Sequence, residues 1–153
     1  MTARLDAINV SRGGVPKQSV FEALVTVDGL DGDRQRDTRF HGGPERAVVL
    51  YSTDVIHALQ REGHPIAVGA AGENLTIAGL DWTRLTPGTE LLVSGARLAV
   101  TRHVTPCAKV ASCFLDGRFD RIDQRQHPGW SRVAARVLSE GLVRVGDAVT
   151  IQL

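Results

Sequence analysis

The sequence predicts a β-rich α+β fold, with short strands forming a barrel or sandwich and helices over its openings. Three observations predict it. Apolar residues alternate or cluster in short segments over most of the chain, rather than recurring at helical spacing. Glycine supplies 16 of the 153 residues and recurs between those segments, where turns belong. Strand and helix patterns do not alternate in βαβ order, which argues against a doubly wound parallel sheet.

The elements follow in chain order. Residues 20–28 (VFEALVTVD) place Phe21, Ala23, Val25 and Val27 on one side of an alternation, as in a half-buried strand. Residues 46–51 (RAVVLY) form an apolar run that suits a buried strand. A helix is expected over 53–62, capped by Ser52 or Thr53, striped by Val55, Ile56 and Leu59, and stopped at Gly63. Residues 89–93 and 97–104 flank Ser94-Gly95-Ala96 and read as a hairpin. A second helix is expected over 130–140, with Trp130, Val133, Ala134, Val137 and Leu138 as its apolar face and Gly141 as its stop. A last hairpin is expected from Leu142–Val145 and Ala148–Leu153 around a Gly146-Asp147 turn.

Length and charge narrow the function classes. The 153 residues suit one domain over 1–153 with a full core and no need of a disulfide or metal staple. Eighteen basic and seventeen acidic side chains give +1, which argues against a nucleic-acid partner gripped by a broad basic surface. No apolar run approaches about 18 residues, and the first residues show no secretory pattern, so a cytoplasmic protein without membrane contact is expected. The glycines form neither G-x-G-x-x-G nor a P-loop, which removes the common dinucleotide and nucleotide readings.

Three segments carry chemistry. Residues 31–46 (DGDRQRDTRFHGGPER) hold Arg34, Arg36, Arg39 and Arg46, with His41 and Gly42-Gly43-Pro44. Consecutive glycines can turn backbone N–H groups toward one point, and arginine forks grip phosphate. The same residues also suit a solvated loop whose arginines pair with Asp31, Asp33, Asp37 and Glu45. In residues 103–110 (HVTPCAKV), Thr105 can cap a helix that starts at Pro106 and places Cys107 in its first turn near Lys109. That setting favours a reactive thiolate, and an ordinary buried cysteine is the alternative. Cys113 would lie roughly 9 Å along a helix from Cys107, too far for a disulfide, and reads as core. His103 points away from the Leu98–Val100–Val104 face and toward a possible pocket near Cys107. The His and Cys residues show no zinc spacing, and His57 reads as a surface residue. In residues 69–77 (GAAGENLTI), Asn74 reads first as a turn-locking amide.

Four strings in order resemble the MOSC domain, named for the C-terminal domain of molybdenum cofactor sulfurase. They are Arg39-Phe40-His41-Gly42-Gly43-Pro44-Glu45-Arg46-Ala47-Val48, Gly72-Glu73-Asn74-Leu75-Thr76, Pro106-Cys107-x-Lys109, and Gly141-Leu142-Val143-Arg144-Val145-Gly146-Asp147. The resemblance is to small stand-alone bacterial members and covers nearly the whole chain. Two stretches depart from it: Thr101-Arg102-His103-Val104-Thr105 is less typical, and Trp130-Ser131-Arg132 replaces a common Gly-Trp-Tyr run. The two-domain reductases related to this family carry a further N-terminal barrel, which is not expected here.

The resemblance implies a MOSC-type β-barrel with a pocket for the molybdenum cofactor, a molybdopterin. It implies that Cys107 ligates molybdenum or carries sulfur. Arg39, His41, Gly42, Gly43 and Arg46 would hold the cofactor's anionic end, with Asn74, Thr105 and Lys109 also lining the site. It further implies reduction of N-hydroxylated small molecules, with electrons from a partner protein. Two other readings stay open: a sulfur carrier with a Cys107 persulfide loaded by a cysteine desulfurase, and a non-enzymatic small-molecule binding module.

Overall fold

The computed structural model describes residues 2–11, 17–33 and 44–153. Among the described residues, eleven strands and one α-helix follow one another: β1 (Arg4–Val10), β2 (Gln18–Val20), β3 (Glu22–Thr26), β4 (Gly29–Leu30), β5 (Val48–Ser52), α1 (Thr53–Arg61), β6 (Leu75–Ala78), β7 (Glu90–Val93), β8 (Ala96–His103), β9 (Val133–Ser139), β10 (Gly141–Arg144) and β11 (Val149–Gln152). Eight strands form one sheet in the order β11-β7-β8-β9-β5-β6-β1-β2, and β10-β3-β4 form a second.

The β-rich α+β class is therefore observed, but the sheet is not closed into a barrel. The two ends approach each other only through a single bridge between Arg4 and Ala148 and the bonds beside it. On its other edge Arg4 pairs with Ala78 of β6, and Val149 of β11 pairs with Val93 of β7.

Central β5 is buried at all five positions between β9 and β6. Its uninterrupted apolar run is what a strand covered on both faces requires. α1 begins as its sequence predicts. The Ser52 hydroxyl accepts the Val55 N–H at 3.1 Å, Ile56 and Leu59 are buried, and Gly63 ends the helix at φ +100°. With β5 and β6 parallel, β5-α1-β6 makes one βαβ unit, a local exception to the predicted absence of that order. The β7–β8 hairpin also forms, and Ser94 rather than Gly95 takes the left-handed conformation, at φ 51°.

Three predicted elements are different in the structure. The helix expected over 130–140 is strand β9. Its apolar residues satisfy both periods, but β9 has a partner on each side in β8 and β5. Val133, Ala135 and Val137 enter the main core, while Ala134 packs with Val49 and Val104 on the other face. Gly141, the expected helix stop, starts β10 instead. A side chain there would sit 2.6 Å from the Gly95 carbonyl carbon, so the crossing of two backbones selects glycine.

The last hairpin keeps its turn but not its pairing. The Asp147 N–H donates to the Arg144 carbonyl at 3.0 Å, and Gly146 has φ +97°. Leu5 of β1 takes the neighbouring bonds, donating to the Asp147 carbonyl and accepting from Gly146 N–H at 2.8 and 2.7 Å. β10 and β11 therefore leave the turn for different sheets. The strand expected over 20–28 breaks at Phe21, where β2 gives way to β3. Val25 is buried, but Phe21 and Val27 are 66% and 52% exposed, so the alternation holds only in the middle.

Candidate functional site

The site is organised by the end of β8 and the start of β9. The Val104 N–H donates to the Arg132 carbonyl at 2.9 Å, and the Ser131 hydroxyl reaches the Val104 carbonyl at 3.2 Å. Two buried aromatic side chains hold the segment before β9. Tyr51 O–H donates to the Trp130 carbonyl, and Trp82 Nε1–H to the Ser131 carbonyl, each at 2.7 Å. Their rings meet edge to face at 6.3 Å. Consecutive carbonyls are thus tied down immediately before Arg132.

Arg132 is buried, with 7% of its surface exposed. Its Nη1 donates to the Ala71 carbonyl at 2.8 Å, and its Nε has no partner. Burial holds its pKa below the usual arginine value, opposed by Tyr51, Glu73, Cys107 and Cys113. Arg46 ends the 3₁₀ turn Pro44–Arg46, which Thr101 pins by donating to the Glu45 carbonyl at 2.5 Å. Arg46 is also lowered, first by burial and then by repulsion from Arg102 and Arg132, with Cys107 acting the other way. Three guanidinium groups therefore share one field, and the Cys107 sulfur lies within it. Like charges held together in this way suit an anion.

Cys107 is exposed and follows the buried Pro106. The helix expected to begin at Pro106 is a six-residue 3₁₀ helix, Ala108–Cys113, so Thr105 caps nothing there. Cys107 precedes this helix in extended conformation and its side chain makes no capping bond. The arginines, rather than a helix dipole, provide its positive surroundings. Cys113 is buried, as its sequence context predicts, and burial raises its pKa. Both cysteines are free thiols.

The remaining predicted residues are placed as follows. Arg39, His41, Gly42 and Gly43, with Arg34 and Arg36, lie outside the described residues. Thr105 and Lys109 are exposed on either side of Cys107. Thr105 and His103 line a cavity of about 300 Å³ with Arg102 and residues 123–125. Desolvation lowers the His103 pKa, so the ring tends to stay neutral. Asn74 is fully buried and spent on the protein. Its Oδ1 accepts Val49 N–H at 2.8 Å, and its Nδ2 donates to Asp33 at 2.8 Å and to the Asn9 carbonyl at 3.4 Å. Its amide joins β1, β5 and Asp33 rather than locking a local turn.

Arg102, Arg132 and Glu73 escaped the sequence reading as site residues. Arg132 carried a signal: a lone arginine heading the apolar run Val133-Ala134-Ala135 is either at a helix edge or buried for a purpose. Reading that run as a helix left Arg132 out of its apolar face. Among the described residues, no group of three or more His, Cys, Asp or Glu side chains could hold a metal ion. No helix among them is long and apolar enough to cross a membrane.

Comparison with known proteins agrees with the fold. The chain is 29% identical to Uncharacterized protein YflK of Bacillus subtilis (strain 168), over 95% of this chain and 65% of that protein. It is 30% identical to Protein YiiM of Escherichia coli (strain K12), over 86% of this chain and 63% of that protein. It thus spans a little under two thirds of the length of these curated relatives. The crystal structure of YiiM from Geobacillus stearothermophilus superposes with a TM-score of 0.77 at 24% identity, covering 99% of this chain and 75% of that one. The sequence profile of the MOSC domain matches residues 37–150, which include Arg46, Arg102, Cys107 and Arg132. The chain belongs to the MOSC domain family.

Proposed function

We propose that this protein binds a molybdenum cofactor at Cys107 and the neighbouring arginines, and reduces N-hydroxylated small molecules with electrons from a partner protein. One observation carries the reading: an exposed thiol shares its electrostatic field with Arg46 and with a buried Arg132 whose Nε has no partner. A soft sulfur ligand beside concentrated positive charge fits a group that joins a thiophilic metal to a phosphate-bearing organic anion.

When bound, the cofactor would supply the two-electron redox chemistry. Cys107 would act as the protein's ligand to the metal. Arg132, held by Tyr51, Trp82 and Ala71, would present its free Nε–H to the anionic portion. Arg46 and Arg102 would add charge, and Arg39, His41 and the Gly42-Gly43 amides would extend the same grip from the preceding sequence. The cavity lined by His103, Thr105 and Arg102 offers a place for the substrate. A neutral His103 can accept a proton from a substrate there, its own N–H being engaged by the Leu85 backbone.

The test is expression in a host that makes the cofactor, followed by molybdenum analysis and assay of N-hydroxypurine reduction. Stoichiometric metal and turnover are expected in the wild type, and loss of both in Cys107→Ser. Turnover unchanged in Cys107→Ser would remove Cys107 from the mechanism. The exposure of Cys107 also suits a sulfur carrier, since a donor enzyme can reach it. In that case mass spectrometry after treatment with a cysteine desulfurase would find an added sulfur at Cys107, without bound molybdenum.

A further inference from the structure

A second polar atom without a partner belongs to Glu73, which has no exposed surface. Its Oε2 accepts the Gly69 N–H and the Thr76 hydroxyl, each at 3.0 Å. Its Oε1 receives no donor, and no lysine or arginine nitrogen forms a salt bridge with it among the described residues. A carboxylate with a bare oxygen in a dry interior is costly, whereas a neutral carboxyl is tolerated there. Glu73 and Arg132 hang from the same short segment. Ala71 accepts from Arg132, and Glu73 follows two residues later. The two side chains interact electrostatically, and each has one unsatisfied atom.

We propose that Glu73 is a positioning residue that acts through Arg132: the arginine site takes its anion with Glu73 in the neutral acid form, so that anion binding is linked to a proton on Glu73. An ionised Glu73 would cancel the charge of Arg132 and draw its free Nε–H inward. A neutral Glu73 leaves that charge for the ligand. The proton comes from solvent and forms the carboxyl O–H, and no other bond changes. Burial pushes the Glu73 carboxyl above the usual carboxylate range, in the direction the geometry requires.

Several other groups face Glu73. Arg132 stands ahead of β9, Tyr51 is on β5, Cys113 is on the Ala108–Cys113 helix, and Thr76 on β6 is bonded in turn by Asn9 of β1. Tyr51 and Cys113 are both raised by burial, so each tends to stay neutral, and Thr76 and Asn9 carry no charge. Glu73 is thus the group among them whose titration reaches Arg132 as pH rises from neutral. The proposal rests on the anion site invoked in the proposed function, but not on molybdenum or turnover.

The probe is sulfate, which does not titrate in the range used. Its affinity for the reduced protein is measured by calorimetry from pH 6 to 10, in pairs of buffers of different ionisation enthalpy. In the wild type, affinity should fall as Glu73 ionises, approaching tenfold per pH unit, with one proton taken up per sulfate bound. In Glu73→Gln this loss should vanish, leaving only the drift that both proteins share. Arg132→Met should bind sulfate weakly at every pH.

Superimposable profiles for wild type and Glu73→Gln would overturn the proposal, as would failure of the wild type to bind sulfate. If Glu73→Gln does not fold, proton uptake by the wild type decides alone, and its absence across the range sinks the idea. Proton-linked sulfate binding without molybdenum in cofactor-replete protein would reject the proposed function and sustain this inference. Molybdenum and turnover without proton linkage would do the reverse.

Discussion

Residues 73 and 74 are neighbours, yet they belong to opposite kinds of buried polar structure. Asn74 joins a network in which the groups are matched. Asp33 accepts from Lys17 Nζ at 2.6 Å, from Ser11 N–H at 2.8 Å and from Asn74 at 2.8 Å. Lys17 and Asp33 keep only 5% and 4% of their side-chain surface exposed. Glu73 and Arg132 are as deeply buried, but each keeps an unsatisfied atom, and no salt bridge joins them. Matched groups serve as scaffold, because removing one strands its partners. Mismatched groups keep their bonding capacity for something else, at a cost to the folded state.

The contrast is broken most directly at Asp33. Asp33→Ala leaves Lys17, Asn74 and Ser11 without their acceptor, and a loss of about 3–5 kcal/mol in urea unfolding is expected. A loss below about 1 kcal/mol would show that this network is not the scaffold described.

Tyr51→Phe strips the buried Trp130 carbonyl of its donor and should cost about 1–3 kcal/mol. Because that carbonyl lies two residues before Arg132, the variant should also weaken sulfate binding. A stability loss with unaltered sulfate affinity would separate the aromatic clamp from the site.

Arg132→Met sharpens the comparison by changing the sign. Removing a mismatched buried charge should leave the protein within about 1 kcal/mol of wild type, or more stable, while sulfate binding is lost. A loss as large as that of Asp33→Ala would place Arg132 in the scaffold instead.

The smallest effect is a difference in slope. The Glu73 carboxyl is raised in the folded protein, so its contribution to stability is full below the ordinary unfolded value near about 4.3 and is lost as pH rises through the folded one. Glu73→Gln should therefore gain stability relative to wild type as pH increases, read from melting temperatures between pH 5 and 9. Parallel curves would mean that Glu73 does not titrate differently on folding.

The sequence revealed the elements whose signals are local. Ser52 and Gly63 mark the two ends of α1, and the run at 46–51 marks a strand buried on both faces. Cys113 was legible as core, and Cys107 stood out through its setting of threonine, proline and lysine. Arg132 and Glu73 were not legible as a site. Both lie in short runs that read equally well as helix edge or turn, and Arg102 and Arg132 fall in the two stretches that depart from the family's usual strings.

By itself, then, the sequence determined the β-rich α+β class and the family, because these rest on composition, ordered motifs and neighbours along the chain. Only the tertiary structure decided that 133–139 is a strand, that β10 and β11 part at their turn, and that the sheet stays open. Each depends on which distant backbone claims a hydrogen bond: β5 and β8 for β9, and Leu5 for the Gly146-Asp147 turn. The site was decided in the same way. Three arginines far apart in sequence acquire a common field only when 3₁₀ turns and strand ends bring them to Cys107, and burial leaves one of them with a donor to spare.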